Sequence, residues 1–364
     1  MANMILTIND YTNYGNRLQN YAMHQLLSSF GDTSTAFVEL NIDGPVTRLK
    51  RGAKSLIQAI KSQIVRGDSL LEERRINKIK AFSKINIPDN DFIINDYQGL
   101  INKSGKSIDR IVVGSDQIWN PLWFSARGLE LRLGSFADTA VPLISYAASF
   151  GVASVGDEVK PKYKTYLPRF DALSVREFQG AKIIKKLTDL DAQVVLDPTL
   201  MMDSNDWRSI TDHFVDNDDE YILTYFLGRP SDAQETCIQN YAKEHGWRIR
   251  RMLDFRDPET YVAGIQDFVE LFCKAKYVFT DSYHACCFSI LFGKQFTVYN
   301  RENTNNHTNM NSRMETLFEL FELDSVVRDN GQAPKIDYSK VNELLDLNRD
   351  KSRNWINSAM KISK

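Results

Sequence analysis

Short continuous apolar runs alternate along this chain with stretches in which apolar residues recur every three or four positions. That is the rhythm of buried strands joined by amphipathic helices. Residues 4–8 read as a strand, residues 9–16 as a polar turn containing Gly15, and residues 17–27 as a helix; residues 34–40 read as the next strand. Strand, turn, helix, strand is the βαβ opening of a doubly wound domain.

Residues 44–100 interrupt the rhythm as a basic helical insertion. Between Arg48 and Lys80 ten Lys or Arg stand against three acids, with Leu49, Ala53, Leu56, Ile57, Ile60 and Ile64 on one helical stripe. Such a segment either packs its stripe on the domain and solvates its lysines, or offers a basic amphipathic surface to anionic lipid head groups. Strands are then expected at 110–114, 142–148, 171–176 and 193–196, each ending in small or polar residues. The repetition predicts one polar rim at the carboxyl ends of a parallel sheet.

Seven acids between Asp203 and Glu220 mark a composition shift, and a new βα rhythm begins at Tyr221. The expected division is an N-terminal α/β domain over 1–205, a C-terminal α/β domain over 206–337, and a final helix within 338–364 that crosses back to the first domain. The second domain centres on Thr280-Asp281-Ser282-Tyr283-His284, which follows an apolar strand at 277–279 and leads into a buried helix ending at Gly293. His284 is thereby placed at a strand-to-helix turn, where open α/β sheets bind ligands and helix N-termini favour anions.

Composition narrows the class rather than the chemistry. The chain has 364 residues, 43% hydrophobic and 25% charged, with a net charge of −2, which fits a globular protein and argues against a nucleic-acid binder. No apolar run spans a membrane and the first residues lack a basic signal region, so the expected compartment is the cytoplasm. Cys237, Cys273, Cys286 and Cys287 lack the spacing of a zinc site or a disulfide framework, and no metal is expected.

Several strings then point one way. Asn13-Tyr14-Gly15-Asn16-Arg17-Leu18-Gln19-Asn20-Tyr21, Val113-Gly114-Ser115-Asp116-Gln117-Ile118-Trp119-Asn120, Ser145-Tyr146-Ala147-Ala148-Ser149-Phe150-Gly151, Ser174-Val175-Arg176-Glu177, Leu196-Asp197-Pro198-Thr199-Leu200 and Thr280-Asp281-Ser282-Tyr283-His284 together resemble the polysaccharide pyruvyl transferases. The resemblance runs in order from about residue 3 to about residue 325. It implies two Rossmann-like domains facing a cleft, similar to GT-B glycosyltransferases. The implied activity moves pyruvate from phosphoenolpyruvate, a co-substrate rather than a cofactor, onto sugar hydroxyls as a ketal.

The family's site residues carry over unevenly. Its arginine falls on Arg176 and its histidine on His284, whereas the arginine that often stands two positions before that histidine is here Ser282. His284 is assigned as general acid or, protonated, as phosphate anchor. Arg176, Ser282 and Thr280 are assigned to the donor, and Lys294 and Arg313 are nominated to replace the missing arginine. Asp116 is expected to orient or deprotonate the acceptor hydroxyl, with Asn16, Arg17, Gln19 and Trp119 (and Trp123) on the acceptor side.

Each residue also has a plain structural reading: Arg176 as the ion-pair partner of Glu177 or Asp197, Asp116 as a turn cap, and Trp119 as core. The acceptor is expected to be a glycan, free, nucleotide-linked or lipid-linked, and residues 48–80 would provide any peripheral membrane contact at the inner face. Two other functions share the same architecture: a GT-B glycosyltransferase using a nucleotide sugar, and a binding member that has lost catalysis. The sequence does not define an oligomeric state.

Overall fold

The computed structural model describes residues 2–39, 66–89, 91–95, 98–211, 214–216, 219–300 and 311–364. The first domain carries strands β1 (Ala2–Leu6), β2 (Asp32–Thr35), β3 (Phe37–Glu39), β4 (Phe92–Asn95), β5 (Gly99–Asn102), β6 (Arg110–Val113), β7 (Leu143–Ser145), β8 (Ser174–Val175) and β9 (Gln193–Val194). Its main sheet is parallel in the order β2-β1-β6-β7, and bridges from Ile144 to Ala172 and from Ala148 to Val175 continue it into the β8-β9 pair. Every residue of β6 is buried, as expected for a strand covered by helices on both faces.

The second domain repeats the plan with β10 (Tyr221–Tyr225), β11 (Arg248–Met252), β12 (Tyr277–Thr280), β13 (Gln295–Tyr299) and β14 (Val327–Arg328). All are parallel, in the order β11-β10-β12-β13-β14. Two doubly wound α/β domains thus make up the protein, the class that the hydrophobic pattern predicts. The free cysteines lie as two buried residues, Cys286 and Cys287, and two partly buried ones, Cys237 and Cys273.

The domains meet through an aromatic seam at helix Tyr14–Ser28. Its Tyr14 ring packs edge-on against Tyr225 at 6.0 Å and tilted against Phe268 at 5.3 Å, and its hydroxyl donates to the Ala263 carbonyl at 2.5 Å. Trp207 fills the next position, 5.7 Å from Tyr21 and 4.9 Å from Phe288. Burying an aromatic of this size stabilises by roughly 2–3 kcal/mol, and its polar tip is satisfied, so the seam holds the two sheets in one relation. Helix Tyr338–Ala359 adds a second tie: Arg349 donates to the carbonyls of Leu200 at 2.7 Å and Met202 at 2.6 Å, and Ser352 accepts from the Leu196 amide at 2.9 Å.

Two elements differ from the sequence pattern. The strand expected at 34–40 is split, because Ala36 ends pairing with β1 and the chain turns into β3, which belongs to a separate three-stranded sheet with β4 and β5. The insertion is therefore not wholly helical: it ends in a β4-β5 antiparallel pair that gives β3 its partner. Its described helix, Arg66–Asn86, buries Ile79 and Phe82 and bridges the domains, with Arg75 donating to the Thr12 carbonyl at 2.7 Å and Lys78 paired to Asp267 at 2.8 Å. Lys50, Arg51, Lys54 and the apolar stripe from Leu49 to Ile64 lie outside the described residues. Among the described residues no helix is long and apolar enough to cross a membrane.

Candidate active site

Because all the strands of each main sheet run parallel, their carboxyl ends form one rim, and the polar residues that end them meet there. Asp116 follows β6, Arg176 follows β8, Asp197 follows β9 and His284 follows β12. The turn after β6 is built for this. A Cβ on Gly114 would meet the Tyr146 carbonyl oxygen at 2.0 Å, so only glycine allows the approach. Asp116 itself takes a left-handed φ of 61°, which aspartate tolerates better than most residues. Ser115 ties the turn to β9 by donating from Oγ to Asp197 Oδ2 at 3.0 Å, while its amide donates to Gln19 Oε1 at 3.2 Å.

At the centre lies the fully buried Arg176. Its Nη1 donates to Asp197 Oδ2 at 2.7 Å and its Nη2 to Asp116 Oδ1 at 3.1 Å. Burial alone would favour neutral carboxyls. The guanidinium of Arg176, aided by Arg313 and by His284 in the protonated form it takes at the acidic pH where Asp116 titrates, overrides it and holds Asp116 at a pKa of about 2. Burial acts on Asp197 in the same sense, and Arg176 and His284 again win, so it too is an ionised acid. Glu177 is the exception: burial pushes its pKa up despite Arg176 and Arg313. One of its oxygens accepts from Ser149 Oγ at 3.0 Å and the Phe150 amide at 2.9 Å, and Oε2 has no partner.

His284 enters this rim from the other domain. It sits in the first turn of helix Tyr283–Leu291, whose N-cap Ser282 makes no side-chain capping bond. Its Nε2 stands 3.8 Å from Asp197 Oδ2, beyond hydrogen-bond range, and has no partner. Burial lowers its pKa, Asp197 and Asp116 oppose that, and Arg176 and Arg313 reinforce it, so the free protein holds a neutral imidazole at pH 7. The first helix comes directly beneath: a Cβ on Gly15 would lie 2.0 Å from His284 Nδ1. Two helix N-termini, those of Tyr14–Ser28 and Tyr283–Leu291, thus converge on the same spot, and both favour negative charge.

Ser282 leaves the position two before His284 without a cation, and Arg313 reaches the cluster from helix Asn311–Phe321. Its Nη1 lies 3.8 Å from Asp116 Oδ1, and its guanidinium stands 5.8 Å from the Tyr283 ring centroid, over which Arg176 also lies at 4.3 Å. With its amide oxygen turned toward Arg313, Gln117 accepts from both terminal nitrogens at 3.2 and 3.1 Å. Burial first, and then Arg176, lower the Arg313 pKa to about 10, so it remains charged at neutral pH. The two arginines differ in their partners: Arg176 spends both terminal nitrogens on aspartates, whereas Arg313 spends its two on the neutral Gln117 amide and has Asp116 only at 3.8 Å.

The remaining expected residues divide sharply. Asn16 reaches the cluster, donating from Nδ2 to Asp116 Oδ2 at 3.4 Å. Arg17 is buried and braces the loop, donating to the Ile8 carbonyl at 2.6 Å and to Asn16 Oδ1 at 2.7 Å, and Gln19 braces the Ser115 turn and donates to Thr7 Oγ1 at 2.9 Å. The Thr280 hydroxyl is spent on the Tyr225 carbonyl at 2.6 Å.

Lys294 is not at the rim. Helix Tyr283–Leu291 runs back across the sheet, so Lys294 lies beside Gln295, which pairs with Tyr277 at the opposite end of β12. Trp119 is core rather than a sugar platform: it is fully buried between Phe150 at 5.5 Å and Phe170 at 5.4 Å, with its indole N–H on the Arg132 carbonyl at 3.2 Å. Sequence reasoning did not single out Gly15, Gln117 or the ring of Tyr283, and it did not place Asp197 or Glu177 among the site residues. The strings containing them were visible, but nothing in one dimension ranks a backbone approach or a shared counter-ion. Among the described residues no group of three His, Cys, Asp or Glu is placed to hold a metal ion.

Two α/β domains thus meet at a buried rim that carries Asp116, Asp197, Arg176, Arg313 and His284. The chain belongs to the polysaccharide pyruvyl transferase family, whose model matches residues 13–303. No curated protein matches the sequence. Among solved structures it is similar to a putative UDP-N-acetylglucosamine 2-epimerase from Listeria monocytogenes, at 10% identity and a TM-score of 0.45 over 98% of this chain and 90% of that one. The UDP-GlcNAc 2-epimerase from Neisseria meningitidis gives 10% and 0.44 over 99% and 94%. The ADP-heptose lps heptosyltransferase II of E. coli gives 9% and 0.34 over 99% and 98%. At such identities and scores the likeness says nothing about substrate.

Proposed function

We propose that this protein transfers pyruvate from phosphoenolpyruvate to two hydroxyls of a glycan, forming a cyclic ketal and releasing phosphate. A proton added to the methylene carbon makes the central carbon cationic, one sugar hydroxyl attacks it, phosphate leaves, and the second hydroxyl closes the ring. The observation that carries the reading is the pairing of His284 with Arg313. A neutral imidazole whose buried Nε2 has no partner faces a rim to which a guanidinium hydrogen-bonded to no carboxylate has been delivered.

In this reading Arg313 and the two helix N-termini hold the donor's carboxylate and phosphate. Negative charge arriving beside His284 raises its pKa, so donor binding itself loads the proton that the methylene carbon needs. Asp116, held at about 2, is a weak base and orients the acceptor hydroxyl rather than removing its proton. Arg176 fixes both aspartates and acts as a positioning residue. The reaction would run in the cytoplasm, where phosphoenolpyruvate is available, and at the membrane's inner face for a lipid-linked acceptor.

One observation favours the nucleotide-sugar alternative. A cavity of about 460 Å³ at the carboxyl ends of β10 and β11, lined by Phe226, Arg229, Arg251, Asp254 and Phe255 among others, is large enough for a nucleotide. The test is to supply phosphoenolpyruvate with a panel of free, nucleotide-linked and lipid-linked glycans, measure phosphate release, and follow by mass spectrometry the gain of pyruvate less water. Turnover with nucleotide sugars alone would sink the pyruvyl reading. Donor binding without turnover on any acceptor would favour a non-catalytic member.

A further inference from the structure

A second cavity, of about 480 Å³, opens beside the inserted segment and is bounded by Tyr11, Phe37, Lys80, Lys84, Asp89, Ile93 and Lys103. Its charge is unbalanced. Lys80 and Lys84 lie one turn apart on the same face of helix Arg66–Asn86, and Lys103 arrives from the end of β5. Among the described residues none of the three lysines has a carboxylate partner. Asp89, the acid in the wall, is engaged by the Tyr11 hydroxyl at 3.0 Å. Like charges at this spacing repel, and the single carboxylate of Asp89 leaves the described wall with an excess of two positive charges.

A relay of side-chain contacts runs from the cavity wall to the rim. Tyr11 packs under the Arg17 guanidinium at 5.1 Å, Arg17 donates to Asn16 Oδ1 at 2.7 Å, and Asn16 reaches Asp116 at 3.4 Å. A ligand held here therefore lies on the first-domain side of the site, separated from Asp116 by the side chains of Tyr11, Arg17 and Asn16. The lysines are compact point charges suited to phosphoryl oxygens, and the rings of Tyr11 and Phe37 offer apolar faces.

We propose that this cavity is an anion subsite that holds the phosphoryl groups of a phosphate-bearing acceptor while its sugar reaches the rim. The identity of the ligand as acceptor rests on the pyruvyl-transfer reading; the anion site itself does not.

The experiment uses the full chain and inorganic pyrophosphate as probe, with binding followed calorimetrically at low and high salt, beside vesicles of phosphatidylglycerol and of phosphatidylcholine. Saturable, salt-sensitive pyrophosphate binding is expected, weakened at least about tenfold in K80Q/K84Q/K103Q and retained in K80R/K84R/K103R. Phosphoenolpyruvate binding should be unchanged by the same lysine variants, and R313Q should show the reverse pattern. Lysine-dependent binding to phosphatidylglycerol vesicles alone would support the subsite and assign the phosphate to a lipid head group. Single K84Q and K103Q variants, on separate elements, keep the test open if the triple variant misfolds. Pyrophosphate and vesicle binding that are both absent, or both indifferent to the lysines, would overturn the proposal. Lysine-dependent binding without any pyruvyl transfer would leave the subsite standing and remove the acceptor reading.

Discussion

Gly15 and His284, one from each domain, approach so closely that a methyl group on the glycine would fall 2.0 Å from the imidazole Nδ1. Gly15 sits inside helix Tyr14–Ser28 without a positive φ, so the backbone alone would welcome alanine there. The constraint comes wholly from the opposing ring.

Gly15→Ala should therefore displace His284 or part the domains. We expect phosphate release from phosphoenolpyruvate to fall by at least about 100-fold, since a misplacement near 1 Å has that cost, while the helix itself remains intact. Steady-state assays paired with circular dichroism check this. Wild-type turnover in the variant would remove His284 from the chemistry.

The pH dependence of donor binding has a defined sign. The free imidazole has a lowered pKa and is neutral at pH 7, whereas the complex with a polyanion favours imidazolium. Affinity for phosphoenolpyruvate should rise as pH falls from about 8 to about 6, with net proton uptake on binding. Calorimetry in buffers of different ionisation enthalpy reads that uptake, and His284→Gln should abolish it. A proton balance of zero in the wild type would exclude the protonated anchor.

Arg313→Gln should weaken donor affinity by about 10–100-fold, the worth of a charge-assisted hydrogen bond. Lys294→Gln, at the far edge of the sheet, should leave it unchanged. The pair separates the two cations that sequence alone could not rank, and equal effects from both would contradict the placement of the site.

Stability should fall with the carboxylates. Asp116 has a folded pKa of about 2 against an ordinary value of 3.8. Its contribution, about 2 kcal/mol, is fully present above pH 4 and is lost as pH falls toward 2. Asp197→Asn removes one of two partners from a buried Arg176 and should cost about 3–5 kcal/mol. Denaturant melts across pH check both. A melting curve unmoved by Asp197→Asn would mean that Arg176 is charged without it.

Trp119→Ala should destabilise the first domain by about 3–5 kcal/mol and leave acceptor affinity alone in whatever fraction stays folded. An acceptor-specific rise in KM with normal stability would restore the sugar-stacking role.

The alternation of apolar runs and helical periods was enough to specify two βα domains, because a strand buried on both faces must be apolar throughout and its helices must carry one apolar stripe. The ends of those strands were legible too, and with them Asp116, Arg176, Asp197 and His284. What the one-dimensional pattern could not carry is which cation faces the rim. Lys294 and Arg313 are both near His284 in sequence, yet the helix that starts at Tyr283 takes Lys294 to the opposite edge, while Arg313 returns from a separate helix. Nor could it separate Trp119 as core from Trp119 as platform, since burial depends on Phe150 and Phe170 arriving from other segments. Local chemistry is written in the residues and their spacing; the sharing of one guanidinium between two aspartates, and of one glycine's empty space with an imidazole across the seam, exists only after packing brings distant segments within a few ångströms.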